Sequence, residues 1–150
     1  MSITTVDAIV DYFIYVANDT GSFISNLKLQ KLVYYAQAWH LGIYDTPLFD
    51  DDFEAWVHGP VIPWLFHKYK EFGWKPILKE VQKPEFPPQL EEFLEDITEE
   101  YFICDGYELE LMTTREDPWL YARKGVARDE PSHAIINKDS MRNFYSKRAA

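Results

Sequence analysis

The sequence predicts a mainly α-helical fold with a minor β component: a compact helical bundle carrying a small sheet or hairpin at one side. Three observations predict it. Apolar residues recur at helical spacing in several separate stretches. Alternation of the strand type is confined to a short run around Phe53–Val57. Turn-forming Gly, Pro, Asp and Asn divide the chain between these runs, and neither an internal repeat nor a low-complexity tract interrupts the pattern. At 150 residues, one domain over 1–150 is expected, long enough to bury a core without staples.

Taken in order, Val6, Ile9, Val10, Phe13 and Ala17 mark a first helix, with Thr4 or Thr5 as its cap and Asp19-Thr20-Gly21 as its end. Ser25 or Asn26 caps the next. There Leu29, Leu32, Val33, Ala36, Trp39, His40 and Ile43 share one arc, flanked by Lys28 and Lys31, while Gln30 and Gln37 lie elsewhere. With almost no outward polar stripe, this should be the central helix. Asp45-Thr46-Pro47 turns the chain, and Asp50-Asp51-Asp52 forms a solvated acidic knuckle. Phe53–Val57 reads as a strand that Gly59-Pro60 breaks, and Pro63 opens a helix to about Phe72. From Trp74 to Pro88 the chain carries Pro76, Pro84, Pro87 and Pro88 and reads as loop, with a short extended piece at Ile77-Leu78.

Leu90, Phe93, Leu94, Ile97 and Tyr101 define an amphipathic helix with Glu91, Glu92, Glu95, Asp96, Glu99 and Glu100 outside. Asp105-Gly106-Tyr107-Glu108 resembles a capping box that opens a helix through about Arg115. Pro118 begins a short turn carrying Trp119, and Arg123 to Ser132 reads as loop. Ala134-Ile135-Ile136 is placed to pair with the earlier strand, and Asn137 or Asp139 caps a last helix with Met141, Phe144 and Tyr145 inward.

Composition narrows the function classes. A net charge of −10 argues against general nucleic-acid binding, which rests on cations facing phosphates, and suits a basic protein partner. One cysteine, Cys104, excludes an internal disulfide and a cysteine-cluster zinc site; neither a leader pattern nor a membrane-spanning run is evident, so the cytoplasm is expected. Aromatic residues make up 17%, including five Trp, more than a small core usually needs. Trp56, Trp64, Trp74 and Trp119 all lie in or beside turns, either plugging the ends of the core or anchoring a partner.

Catalytic and metal chemistry find little support. Glu54 and His58 stand four apart on an extended segment, His40 lies on an apolar arc, and His67 sits beside Lys68, so isolated hydrogen-bonded histidines are expected and no metal site. Cys104 has a carboxylate neighbour that raises its pKa, and neither a nucleophile elbow nor a phosphate-cradling glycine loop is present. Neither a cofactor nor a catalytic residue is assigned. Arg123, Lys124 and Arg128, with Arg142, Lys147 and Arg148 further on, are expected to balance the acidic helix rather than to bind nucleic acid.

Three blocks carry a family resemblance. They are Lys28-Leu29-Gln30-Lys31-Leu32-Val33-Tyr34-Tyr35-Ala36-Gln37-Ala38-Trp39-His40, then Pro47-Leu48-Phe49 with Glu54-Ala55-Trp56-Val57-His58-Gly59-Pro60-Val61, and Leu111-Met112-Thr113-Thr114-Arg115-Glu116-Asp117-Pro118-Trp119 with Ala122-Arg123. The chain resembles the Panacea domain family of SocA-like and GepA-like, phage-associated proteins, over about Asp7 to Tyr145. The third block departs where Thr114 replaces the usual His, so a proton-linked role for that imidazole does not carry over. Cys104 to Leu109 also replaces a run that is often of small residues.

The resemblance implies an antitoxin that neutralises a toxin, such as an alarmone-synthetase-like or other translation-blocking enzyme, by direct protein binding. It also implies a phage-defence setting and a partner encoded by a neighbouring gene. Some relatives carry a DNA-binding segment, which this chain is expected to lack; a homo-oligomer stays open. The partner surface is expected at the corner Trp56, His58, Gly59 and Pro60, with Thr113, Glu116 and Trp119 opposite, although the same residues would also serve simply to hold the corner together. Two alternatives stand beside the antitoxin: an adaptor presenting a bound protein to a protease, and a hydrolase using carboxylates near His58.

Overall fold

In the computed structural model, which describes residues 2–149, seven α-helices and a two-stranded antiparallel sheet are found among the described residues. Helix α1 spans Val6–Thr20; Thr5 Oγ1 accepts from the Ala8 amide at 3.2 Å, and Gly21 closes it in the left-handed region at φ 68°. Helix α2, Asn26–Tyr44, begins on Ser25, whose Oγ accepts the Lys28 amide at 3.1 Å. It runs through the middle of the molecule, packed by α1, the sheet and most of the later helices.

The expected arc on α2 is too narrow. Lys28, Gln30, Lys31 and Gln37 are buried with the apolar residues, whereas Ile43, near the C-terminal end, is exposed. Burial of polar groups is tolerated because each one ties down a segment lacking regular structure or supplies a missing partner. Gln37 accepts from the Leu48 amide at 2.7 Å and donates to the Phe49 carbonyl at 2.8 Å. Gln30 accepts from the Ile62 amide at 3.1 Å, Asn26 donates to the Phe66 carbonyl at 3.0 Å, and Lys28 donates to the Phe102 carbonyl at 2.6 Å.

Strands β1 (Glu54–Trp56) and β2 (Gly59–Val61) pair with Glu54 opposite Val61, Ala55 opposite Pro60 and Trp56 opposite Gly59. Gly59-Pro60 therefore does not break the strand; it begins the return strand of a hairpin. The proline fits because the Ala55 amide points the other way, donating to the Ala134 carbonyl at 2.8 Å, so no ladder bond is lost at Pro60. The Ala134–Ile136 segment does join β1, through a bridge between Ile135 and Glu54 and an Ile136 amide bond to the Phe53 carbonyl at 2.8 Å.

Helix α3 covers Pro63–Lys68 and gives way to a 3₁₀ turn at Lys70–Phe72, shorter than the helix to Phe72 the pattern suggests. The following loop runs to α4, Pro88–Tyr101, whose apolar face is buried as expected. In the short extended piece expected at Ile77-Leu78, the Ile77 amide bonds the Ile24 carbonyl at 2.8 Å. Helix α5, Gly106–Thr113, carries both halves of the capping box: Asp105 Oδ1 accepts from the Glu108 amide at 2.8 Å, and Glu108 Oε1 from the Asp105 amide at 3.0 Å. It stops short of Arg115 because Thr113 and Thr114 turn their hydroxyls back to the Glu110 carbonyl. Pro118 sits in the first turn of a true helix, α6 (Asp117–Ala122), rather than in a turn.

Helix α7, Lys138–Ala149, begins on Asn137, whose Oδ1 accepts the Asp139 and Ser140 amides, and it buries Met141 and Tyr145. It lies so close to α2 that a Cβ on Gly42 would stand 2.6 Å from Tyr145 Cβ and 2.7 Å from the Tyr145 carbonyl carbon. Among the described residues, the arginines and lysines from 123 onward form no ion pair with the acidic helix: Arg142 pairs with Asp45 and Asp139 and Arg123 is buried, while Glu91 of α4 pairs instead with Lys83. No described helix is long and apolar enough to cross a membrane.

Candidate functional site

The corner marked by the sequence blocks is held from behind by a dense set of bonds. Lys31 reaches up from α2 and donates to the Pro60 carbonyl at 2.9 Å. Gly59 has φ 101°, and a Cβ there would stand 2.6 Å from Lys31 Cε and 2.9 Å from Thr113 Oγ1. Glycine is required at this position on both counts, the backbone conformation and the space. Trp119, 2% exposed, donates from its indole to the Trp56 carbonyl at 2.9 Å. The Arg123 and Arg128 guanidinium groups both lie over its ring, at 4.8 and 5.1 Å. Arg123 then donates to the Ala55, Ala127 and Glu130 carbonyls, and Arg128 to that of Val57. Arg123 is thus a bracket for the hairpin and the 123–130 loop, where composition suggested a surface cation.

Charges are spaced along this support. Burial lowers the Lys31 ammonium pKa from 10.5 to about 7, with the nearby Glu110 carboxylate opposing the shift. Glu110, itself buried, faces the surface-exposed His58, with Oε2 3.2 Å from Nδ1. Glu54 instead accepts from the Trp56 indole at 2.9 Å and lies 3.1 Å from His133 Nδ1. Glu54 and His58 therefore belong to two separate histidine–carboxylate pairs. Among the described residues, no group of three or more His, Cys, Asp or Glu is placed to hold a metal ion.

Glu116 lies apart from the hairpin, against α2 and α7. Its carboxylate accepts hydrogen bonds from Tyr35, at 3.2 and 3.3 Å, and from Tyr145. Burial raises its pKa above the usual carboxylate value, against the pull of those hydroxyl donors. Tyr34 beside it is fully buried, and among the described residues its hydroxyl has no hydrogen-bond partner. The Cys104 thiol is also raised, chiefly by burial and then by Glu108.

In front of the hairpin lies an open cavity of about 570 Å³. Its walls are apolar: Trp56, Val57 and Val61 from the hairpin side, Phe66 and Trp74 facing them, and Leu27 at the start of α2. Asn26 and Gln30 also line it, and His58, Lys70 and His133 contribute polar edges. The expected partner residues thus separate into three groups. Trp56 and His58 line the cavity; Gly59, Pro60, Thr113 and Trp119 are buried behind it; Glu116 sits at the tyrosine cluster. Sequence reasoning named Trp74 among the candidate anchors but passed over Phe66 and Pro131 to His133, which also line the cavity. The available signal was Trp74, a large aromatic in a proline-rich stretch, which the fold leaves 78% exposed.

The hairpin and the helices behind it lie within a likeness to known proteins. Residues 29–120 match the family described as antitoxin SocA-like, Panacea domain. The antitoxin SocA of Caulobacter vibrioides (strain NA1000 / CB15N) is 42% identical over 60 residues, which cover 40% of this chain and 32% of that protein. The aligned part is thus about a third of the length of the curated relative. No solved structure matches. Because the family match spans more than half of its residues, from the fourth residue of α2 to α6, the chain belongs to the SocA-like antitoxin family that carries the Panacea domain.

Proposed function

We propose that this protein neutralises a cognate toxin in the cytoplasm by binding it directly, as a non-enzymatic inhibitor. The observation that carries this reading is the apolar cavity beside the hairpin. Gly59, Pro60, Thr113 and Trp119 are buried behind it, while half-buried Trp56 and exposed Trp74 stand at an opening that no described residue covers. Aromatics that border a pocket of this kind, Trp74 exposed and Trp56 half-buried, are what a protein interface uses as its centre. Family membership supports a toxin as the partner; that it is encoded by a neighbouring gene and blocks translation is part of the proposal. Trp56 and His58 would touch it, while Gly59, Pro60, Thr113 and Trp119 would hold the surface in shape.

Co-expression with the neighbouring gene tests the proposal, with growth and copurification scored together. The neighbour should arrest growth alone, and this protein should restore growth and elute with it as one complex. Restored growth without a complex would overturn direct binding, and no restoration at all would overturn the antitoxin reading itself.

A further inference from the structure

We infer that the cavity is a binding site for a small planar anion, an aromatic ring system carrying an acidic group. Such a ligand is a free small molecule, a function beyond the antitoxin reading, and it meets that reading only in occupying walls proposed to contact the toxin. Volume comes first: about 570 Å³ lies in the range of roughly 300–1,000 Å³ typical of sites that enclose a small ligand. The walls suit a ring. Trp56 packs edge-on against Phe66, with centroids 5.3 Å apart, and against His133 at 5.9 Å, while Trp74, 78% exposed, borders the opening.

Hydrogen-bond balance favours an occupant with acceptor oxygens. Asn26 and Gln30, 3% and 1% exposed, both line the cavity. Asn26 Nδ2 donates to the Phe66 carbonyl at 3.0 Å, and Gln30 Oε1 accepts from the Ile62 amide at 3.1 Å, so these backbone partners fix which end of each amide is nitrogen. Gln30 Nε2 then donates to Asn26 Oδ1 at 3.2 Å. Each oxygen has its donor, whereas each nitrogen carries two protons and spends one. Two buried N–H donors therefore remain in the wall with no acceptor among the described residues. Ser132, also in the wall, accepts from the Ala134 amide at 3.1 Å and keeps its own hydroxyl proton.

Charge points the same way. Among the described residues no carboxylate lines the cavity, whereas Lys70, His58 and His133 do. The carboxylates beside these histidines are committed: Glu110 lies 3.2 Å from His58 Nδ1, and Glu54 lies 3.1 Å from His133 Nδ1 while accepting from the Trp56 indole at 2.9 Å. Lys70 is exposed and forms no ion pair among the described residues, and Lys75, also exposed, directly follows Trp74. Unspent donors, an ammonium group and aromatic walls together match a ring with acidic oxygens at its edge. A purely apolar ligand would leave the two amide protons unpaired, and a cation would meet Lys70. The chain's charge of −10 opposes an anion at long range, so affinity has to come from these contacts.

The test uses the full chain without toxin and three probes that share one ring system: 2-naphthoate, its neutral amide 2-naphthamide, and the cation 2-naphthylmethylammonium. Isothermal titration calorimetry at physiological ionic strength should show the acid binding about tenfold more tightly than the amide, with the amine weakest. Trp74→Ala should weaken acid and amide alike, by about fivefold. Lys70→Gln should weaken the acid by about threefold and leave the amide unchanged. Both side chains are exposed, so these variants keep the fold. In heteronuclear NMR spectra the side-chain amide protons of Asn26 and Gln30 should shift more with the acid than with the amide.

No measurable binding of the acid, or binding no tighter than that of the amide or the amine, overturns the anionic ligand. Acid binding that Trp74→Ala leaves unchanged, or shifts centred away from the cavity residues, overturns the cavity as its seat. Growth rescue in the co-expression assay involves no probe, so the antitoxin reading stands or falls apart from this site. With the copurified toxin, excess 2-naphthoate should displace it. Simultaneous binding of both would leave the small-molecule site standing and remove the cavity from the toxin interface.

Discussion

Lys31 is the residue at which local chemistry and architecture meet. A lysine with no exposed surface is expensive unless it is neutral or bonded, and this one gains the Pro60 carbonyl and the field of Glu110. Its pKa falls from 10.5 to about 7 in the folded protein, so the unfolded chain binds the extra proton over that interval and the folded chain does not. Stability from this group is therefore fully present above pH 10.5 and is lost as pH falls through about 7. Lys31→Met keeps the length of the side chain and removes the titration. Urea unfolding of both proteins at a series of pH values from neutral upward should show the wild type gaining on the variant as pH rises. A difference that stays flat would place the ammonium in an unshifted environment. None of this was legible from the heptad-like spacing, which puts Lys31 at the edge of an arc. What buries it is β2, supplied by residues about thirty positions away.

At the level of elements, much was legible because the signals are local. The caps at Thr5 and Ser25, the Asp105–Glu108 box and the face of α4 depend on side chains within one turn of the backbone they satisfy. A small sheet or hairpin was legible, but its return strand was not, since Gly59-Pro60 stops a strand in most settings, and only the outward-pointing Ala55 amide makes the proline harmless. Nor does the sequence show how near α7 lies to α2.

That closeness gives a prediction of definite sign. Gly→Ala inside an open helix stabilises by up to about 1 kcal/mol. At Gly42 the added methyl would meet the backbone of Tyr145 and Ser146 at 2.6–2.9 Å, which a rotamer change cannot relieve. We expect Gly42→Ala to destabilise instead, by about 1–3 kcal/mol, as read by chemical denaturation. Proteolysis should then begin in α7, because Tyr145 would be pushed off Glu116 and Tyr35. Unchanged or increased stability would mean the two helices move apart without cost.

For the molecule as a whole, two properties act together: a charge of −10 spread over the surface and one apolar cavity whose walls come from four distant stretches of chain. The charge is evident from composition alone. The cavity is not, because residues 26–30, 56–61, 66–74 and 131–133 come together only once the hairpin, the proline-rich loop and the 123–133 loop are folded. If these properties divide the work of binding a basic toxin, they should also divide its kinetics. Long-range attraction acts before contact and is screened over about 8–10 Å at physiological ionic strength. Apolar burial acts only after contact and is insensitive to moderate salt. Stopped-flow association of the protein with its copurified toxin should therefore slow steeply, by roughly ten- to a hundredfold, as salt rises from about 0.02 to 0.5 M. Dissociation should change by no more than about two- to threefold, since it reports the anchored interface. Trp74→Ala should do the reverse, accelerating dissociation with the salt slope of association unchanged. A dissociation rate that follows salt as closely as the association rate would mean that ion pairs, not the cavity, hold the complex together.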